Sequence, residues 1–126
     1  MKNIKQLGIW MDHSNAYLME LTDDIIVTNI VESEFVQQEN GYNLKYHEKS
    51  FHNKEQQQQL SYYKKLGGFI REYQEVVLFG PTDAKIELLN LLKRDHLFEN
   101  IKIEVKKSDQ MTEYQRHNFV REYFKW

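Results

Sequence analysis

The segment from Glu75 to Gly80 (EVVLFG) constrains the fold of this chain more than any other stretch. Its four consecutive apolar residues leave no polar side, so a strand here must be covered on both faces. Strands of this kind lie in the centre of a sheet beside a parallel neighbour, and parallel neighbours are usually joined by a helix. The segment therefore predicts an α/β fold with helices packed on the sheet.

Three short apolar runs precede this strand, and each has about the length of one strand. They are Leu7 to Met11, Ala16 to Leu21 and Ile25 to Val31. The runs are separated by Asp12-His13-Ser14-Asn15 and by Thr22-Asp23-Asp24, which are rich in residues that favour tight turns. We predict two consecutive hairpins, forming an antiparallel meander of three strands.

Helical periodicity appears between Lys54 and Tyr73, where apolar residues recur every three or four positions. Gly67-Gly68 interrupts this helix, and we interpret the missing side chains as room for close packing. A second helix is predicted from near Thr82 to Lys93, with Thr82 as its cap. A strand nearer an edge follows, and a last helix begins at Thr112 with a capping box to Gln115.

The predicted order is βββαβαβα, a mixed sheet with helices on its faces in three layers, as in a ribonuclease H-like domain. The 126 residues fit a single domain over positions 1–126. The sequence has no Cys, which excludes disulfides, thiolate nucleophiles and Cys-ligated metal centres. No apolar run reaches the length of a membrane span. We expect a cytoplasmic protein without membrane contact or cofactor.

Periodicity disappears between Val36 and Asn53, so we predict a long flexible loop at 36–53. The lysines Lys45 and Lys49 alternate there with Tyr42 and Tyr46, a mixture that can pair with phosphates and stack on bases. Because the net charge is −2, any contact with RNA must be local. A solvated loop or a protein-contact site is the alternative.

Histidines in the same loop suggest a metal site only weakly. His47, Glu48 and His52 can supply nitrogen and oxygen ligands, but no further ligand is evident and no metal is predicted. Surface histidines are the simpler interpretation.

Asp12 and His13 follow the first strand and are the candidate catalytic residues. Asp12 stands where a ribonuclease H nuclease keeps a metal-binding carboxylate, and Glu20, Asp83 or Asp109 are further carboxylates. The alternative is that Asp12 shapes the hairpin turn. Histidine can act as a general base, and this is one possible role of His13. Alternatively, its side chain binds a partner or forms a hydrogen bond with the backbone.

Cationic side chains elsewhere offer other binding candidates. Lys85, in the helix after Gly80-Pro81-Thr82-Asp83, either counters Asp83 or faces a phosphate at a helix N-terminus. A second group of cations near the last helix forms either a modest basic patch or a solvated face. That group comprises Lys106, Lys107, Arg116 and Arg121.

Three motifs occur in an order that resembles a family of small bacterial proteins often called translational machinery proteins. They are Gly8-Ile9-Trp10-Met11-Asp12-His13 with Ala16; Gly80-Pro81 with Ala84, Lys85, Glu87 and Leu88; and Asp109-x-Met111-Thr112-x-x-Gln115 with Val120, Arg121 and Phe124. That family is related in fold to the central domain of the eukaryotic and archaeal peptide release factor and of its ribosome-rescue relative. The resemblance spans the chain apart from 36–53.

The resemblance implies a ribonuclease H-like fold and a role with the ribosome, rRNA or tRNA. Release factors hydrolyse peptidyl-tRNA with a Gly-Gly-Gln loop, whereas the only Gly-Gly here, Gly67-Gly68, precedes Phe69 inside a helix. We therefore predict a non-catalytic, translation-associated binding module. A metal-dependent nuclease or hydrolase centred on Asp12 and His13 is the alternative. A second alternative is a self-associating structural protein, a homo-oligomer formed through exposed aromatic residues at Tyr123, Phe124 and Trp126.

Overall fold

The computed structural model describes residues 4–33 and 48–126, and it describes the side chains of the first helix from Lys54 onward. The elements are β1 Gln6–Met11, β2 Asn15–Thr22, β3 Ile25–Glu32, α1 Glu48–Ile70, β4 Glu75–Gly80, α2 Ala84–Lys93, β5 Lys102–Lys107 and α3 Glu113–Phe124. A short 3₁₀ helix, His96–Phe98, lies between α2 and β5. The order βββαβαβα is confirmed.

The strands form one five-stranded mixed sheet in the order β3-β2-β1-β4-β5. β1 is antiparallel to β2 and parallel to β4, and β4 is also parallel to β5. The apolar segment EVVLFG therefore lies between two parallel neighbours, with Val76 to Phe79 almost fully buried. The interpretation of this strand as central, and of β5 as the edge, is confirmed.

Each face of the sheet is covered by helices, which gives the predicted three layers. α1 and α2 pack on one face, where Leu66, Ile70 and Leu88 join the larger core. α3 packs on the other face through Val120, which lies in a second core with Phe79. β1 and α3 approach each other closely at Gly8. A β-carbon at this position would lie only 2.6 Å from a Val120 methyl carbon, so the contact requires glycine.

Both predicted hairpins are present. The β2–β3 turn places Asp23 and Asp24 at φ values of 52° and 67°, the left-handed pair that a two-residue type I′ hairpin requires. The capping box of α3 is confirmed as well: the Thr112 hydroxyl accepts from the Gln115 amide, and the Gln115 side chain accepts from the Thr112 amide.

Two predicted boundaries are wrong. α1 begins at Glu48, so residues 48–53 are helical rather than part of the predicted loop at 36–53; positions 36–47 lie outside the described residues. Residues 48–53 have no apolar stripe, and hydrophobic periodicity therefore could not detect this first part of the helix. α2 has Asp83 as its N-cap residue, and Thr82 lies one position earlier, with its hydroxyl 3.2 Å from the Ala84 amide.

Candidate functional site

The parallel strands β1 and β4 end side by side, and the turns that follow them meet the N-terminal part of α2 and the middle of α1. In open α/β sheets this carboxyl edge is the usual position of ligand sites. Four side chains from three segments are joined here by hydrogen bonds, and we call them the His13 cluster. They are His13, Gln59, Tyr63 and Glu87.

His13 is connected to both helices. Its Nε2 lies 3.2 Å from Glu87 Oε1, and the Tyr63 hydroxyl donates to the same oxygen at 2.6 Å. The Gln59 amide donates to the His13 carbonyl at 3.2 Å. The side chain of His13 is 42% exposed and that of Glu87 is 50% exposed. The cluster therefore fixes the turn after β1 while leaving an imidazole accessible to a partner.

The tyrosines beneath this turn remain hydrogen-bond donors. Burial, followed by the hydrogen bond to Glu87, holds the pKa of the Tyr63 hydroxyl well above its usual range. Burial, with the charge of Asp12 as a smaller cause, does the same to the pKa of Tyr62. The Tyr62 hydroxyl donates to the Asp12 carbonyl at 3.0 Å. Tyr62 therefore anchors the turn between β1 and β2 to α1, and Tyr63 links α1 to α2 through Glu87.

The Asp12 carboxylate accepts hydrogen bonds from the backbone of its own turn. Its Oδ1 accepts from the amides of Ser14 and Asn15, each at 2.8 Å. This geometry is that of an aspartate that shapes a tight turn, which confirms that interpretation of Asp12.

The other carboxylates do not collect beside Asp12. Glu20 accepts a hydrogen bond from the Tyr73 hydroxyl at 2.6 Å, and Asp83 is the N-cap residue of α2. Within residues 4–33 and 48–126, no three or more His, Asp or Glu side chains are grouped so that they could hold a metal ion.

Lys85 is buried rather than placed on the exposed surface that a phosphate contact requires. Its side chain is only 3% exposed, and its ammonium donates to the Thr82 carbonyl at 2.5 Å. Burial lowers the pKa of this ammonium, the nearby charge of Asp83 raises it, and Lys107 lowers it further. The favourable influence of the Asp83 charge agrees with the role in which Lys85 counters Asp83, one of the two that the sequence leaves open.

The residues of the predicted loop at 36–53 fall into two groups. Tyr42, Lys45 and Tyr46 lie outside the described residues, as does His47. Lys49 and His52 belong to α1, in the part of that helix whose side chains are not described.

The predicted basic patch near α3 does not assemble as one surface. Lys106 and Lys107 pair in register with Phe79 and Gly80, so as neighbours in a strand they point to opposite faces of the sheet. The Arg116 guanidinium lies 3.9 Å from the centroid of the Tyr17 ring, and its Nη1 donates to the Met111 carbonyl at 2.8 Å. Arg116 is thus partly used in packing α3 against the sheet.

A basic surface that the sequence analysis missed runs along the solvent side of α1. The exposed cations of α1 from Lys54 to its end at Ile70 are Lys54, Lys64 and Lys65. The only acid in this range, Glu55, is half-buried. This surface could have been predicted from the sequence, because residues 54 to 71 contain few acids. The net charge of the whole chain does not reveal this local excess of cations.

The aromatic residues at the C-terminus are packed rather than exposed, which corrects the prediction. Tyr123, Phe124 and Trp126 are half-buried against the second core. Phe124 stacks on Trp126 with ring centroids 5.2 Å apart, and the Trp126 indole donates to the Gln6 side chain at 2.9 Å. Lys125 adopts a left-handed conformation at the end of α3, and this turn brings Trp126 back onto the sheet.

No helix in the described ranges combines the length and the apolar character needed to cross a membrane.

The mixed sheet with α1 and α2 on one face and α3 on the other defines an α/β domain of the ribonuclease H-like kind. Solved structures share this fold. Pelota from Archaeoglobus fulgidus matches with a TM-score of 0.62 at 8% identity, over 96% of this chain and 32% of that one. Pelota from Thermoplasma acidophilum matches with a TM-score of 0.58 at 13% identity, over 93% of this chain and 32% of that one.

These similarities establish the fold. The chain spans about a third of the length of the Pelota structures that it matches. The sequence itself matches no protein-family model and no curated protein.

Proposed function

We propose that this chain is a non-catalytic, translation-associated binding module that contacts rRNA or tRNA on the ribosome. The contact surface consists of the side of α1 that carries Lys54 and Lys65, the exposed imidazole of His13, and the segment with Tyr42, Lys45, Tyr46 and Lys49. We propose further that the chain is a member of the translational machinery proteins that its motifs resemble.

The charge of α1 is the observation that carries this proposal. The exposed side chains of α1 from Lys54 to Ile70 include three cations and no acid, on a protein whose net charge is −2. Phosphate contacts supply most of the affinity of proteins for nucleic acids, so a local basic surface is sufficient for RNA contact even when the whole chain is slightly acidic.

Two of these lysines lie on the same side of the helix. Lys54 and Lys65 are eleven residues apart, which places them on the same side of α1, about 16 Å apart along the helix axis. Lys45 and Lys49 precede Lys54 in the sequence and add two cations to the proposed contact segment.

The fold provides the second line of support. The likeness to archaeal Pelota, a relative of release factors, covers nearly the whole chain. The sequence lacks the Gly-Gly-Gln tripeptide, and the Asp12 carboxylate is engaged by two backbone amides. Both observations favour binding over hydrolysis.

Fluorescence anisotropy with fluorescein-labelled bulk tRNA tests the RNA contact. The doubly neutralised variant Lys54→Gln/Lys65→Gln should bind about tenfold more weakly, and the slope of log K against log salt should fall by about 2. Arg94→Gln, an exposed cation at the end of α2, is the matched control and should bind like the wild type. Equal affinity of the double variant and the wild type would refute the assigned surface.

A further inference from the structure

A second surface lies at the C-terminal end of α1, beyond the His13 cluster at the middle of this helix. It is a groove of about 520 Å³ between the C-terminal part of α1 and the segment that follows α2. Its α1 wall includes Gly67 and Gly68, and its other wall runs from Leu91 to Phe98. We propose that this groove is a docking site for an acidic, leucine-containing segment of a partner protein.

The charge of the groove selects an anionic partner. Lys64, Arg71, Arg94 and His96 line it and are all exposed. Asp95 is the only acid in the lining, and its carboxylate already accepts from the Leu97 amide at 2.9 Å. Two arginines at one groove favour carboxylates, because the planar guanidinium binds a carboxylate through two parallel hydrogen bonds.

The floor of the groove is apolar. Leu91, Leu92 and Phe98 contribute to it, and Leu97 at its edge is 51% exposed. An exposed leucine beside buried apolar side chains is the arrangement expected where aliphatic side chains of a partner are received. The groove therefore suits a segment that presents apolar side chains between carboxylates.

Gly68 provides an independent observation. A β-carbon on Gly67 would lie 3.2 Å from a Leu92 methyl carbon and 3.4 Å from Phe98, so packing explains that glycine. A β-carbon on Gly68 would meet nothing within 4 Å. Packing inside this chain does not require a glycine at 68, although glycine is unfavourable within a helix. Its bare backbone leaves the groove open.

The lining favours a peptide over RNA. Sequence-tolerant binding of single-stranded RNA relies on aromatic rings that are accessible for stacking. Phe98 is the aromatic residue in the lining, and it is 8% exposed. Aliphatic side chains surrounded by cations match an amphipathic peptide with carboxylates on its flanks.

Amide chemical shifts of the ¹⁵N-labelled full chain test the proposal. The probe is a helical peptide with leucines on one side and glutamates beside them. Saturable shifts centred on Gly67, Gly68 and Leu97 are expected. The charge-reversed variant Arg71→Glu/Arg94→Glu should lose at least tenfold in affinity. The matched control Lys54→Glu/Lys65→Glu, whose substitutions lie outside the groove, should bind the peptide like the wild type.

Further variants and probes separate the alternatives. Gly68→Phe fills the groove without changing charge and should also weaken peptide binding, so the test does not depend on one variant remaining folded. The proposal is wrong if the peptide fails to bind, or if its shifts map elsewhere. It is also wrong if oligouridine RNA shifts the groove residues and Arg71→Glu/Arg94→Glu abolishes that effect. None of these outcomes alters the tRNA result expected for Lys54 and Lys65.

Discussion

Gly80 lies so close to Met11 that a β-carbon on Gly80 would be 2.0 Å from the Met11 carbonyl oxygen. The φ of Gly80 is 148°, a conformation that side chains with a β-carbon rarely adopt. This close approach holds the ends of β1 and β4 together and positions the turn with His13 beside α2.

Replacing Gly80 by alanine should therefore destabilise the protein by about 3 kcal/mol, through backbone strain and the contact with Met11. Urea unfolding followed by far-UV circular dichroism measures this loss. A free energy of unfolding within about 0.5 kcal/mol of the wild type would contradict the geometry at this position.

The two glycines of α1 should respond oppositely to alanine. Gly68→Ala adds a methyl group in open space and should raise the free energy of unfolding by about 1 kcal/mol, the difference in helix propensity. In Gly67→Ala the methyl group presses on Leu92 and Phe98, so the same gain should be reduced or reversed. Thermal unfolding of both variants gives the comparison. Equal stabilisation of the two would show that Gly67 is not closely packed.

Tyr63 should make stability depend on alkaline pH. Because its pKa is raised in the folded state, its contribution is complete below the usual tyrosine pKa of about 10 and is lost as pH rises above it. Tyr63→Phe should cost about 1 kcal/mol at pH 7 by removing the hydrogen bond to Glu87, and this deficit should shrink above pH 10.

Urea titrations at pH 7 and pH 10.5 measure the effect. Tyr114→Phe is the control, because Tyr114 is 75% exposed, and it should leave stability unchanged at both pH values. A deficit of Tyr63→Phe that stays constant across this range would show that its pKa is not raised by folding.

Lys85 should contribute little to RNA binding. Lys85→Met keeps the length of the side chain and removes a buried charge whose pKa is lowered, so stability at pH 7 should rise slightly, by less than about 1 kcal/mol. That advantage should fade as the wild-type lysine becomes neutral at high pH. Affinity for tRNA should be unchanged. A large loss of affinity for tRNA would show that Lys85 belongs to the RNA-binding surface.

The sequence predicted the fold because the signals for its elements are local. The apolar segment Val76 to Phe79 required two neighbours, and the Thr112 and Gln115 side chains specified where α3 begins. The first turns of α1 were not predicted, because residues 48–53 carry no apolar stripe. Hydrophobic periodicity therefore could not indicate a helix there.

The candidate site was only partly predictable. His13 was identified from its position at the end of β1, but its partner Glu87 is 74 residues away and no local pattern joins them. Gln59 and Tyr63 are four residues apart on α1, so they share a face, yet only the fold shows that this face meets the turn after β1. The burial of Lys85 likewise depends on how α2 packs on the sheet.

We propose that this domain works at the ribosome, and co-sedimentation gives a direct test of this role. Purified protein would be mixed with bacterial ribosomes and centrifuged through a sucrose cushion at low salt. We predict that the wild type pellets with the ribosomes and that Lys54→Gln/Lys65→Gln pellets substantially less, while Arg94→Gln behaves like the wild type. Wild-type protein that remains in the supernatant at low salt would refute a role at the ribosome.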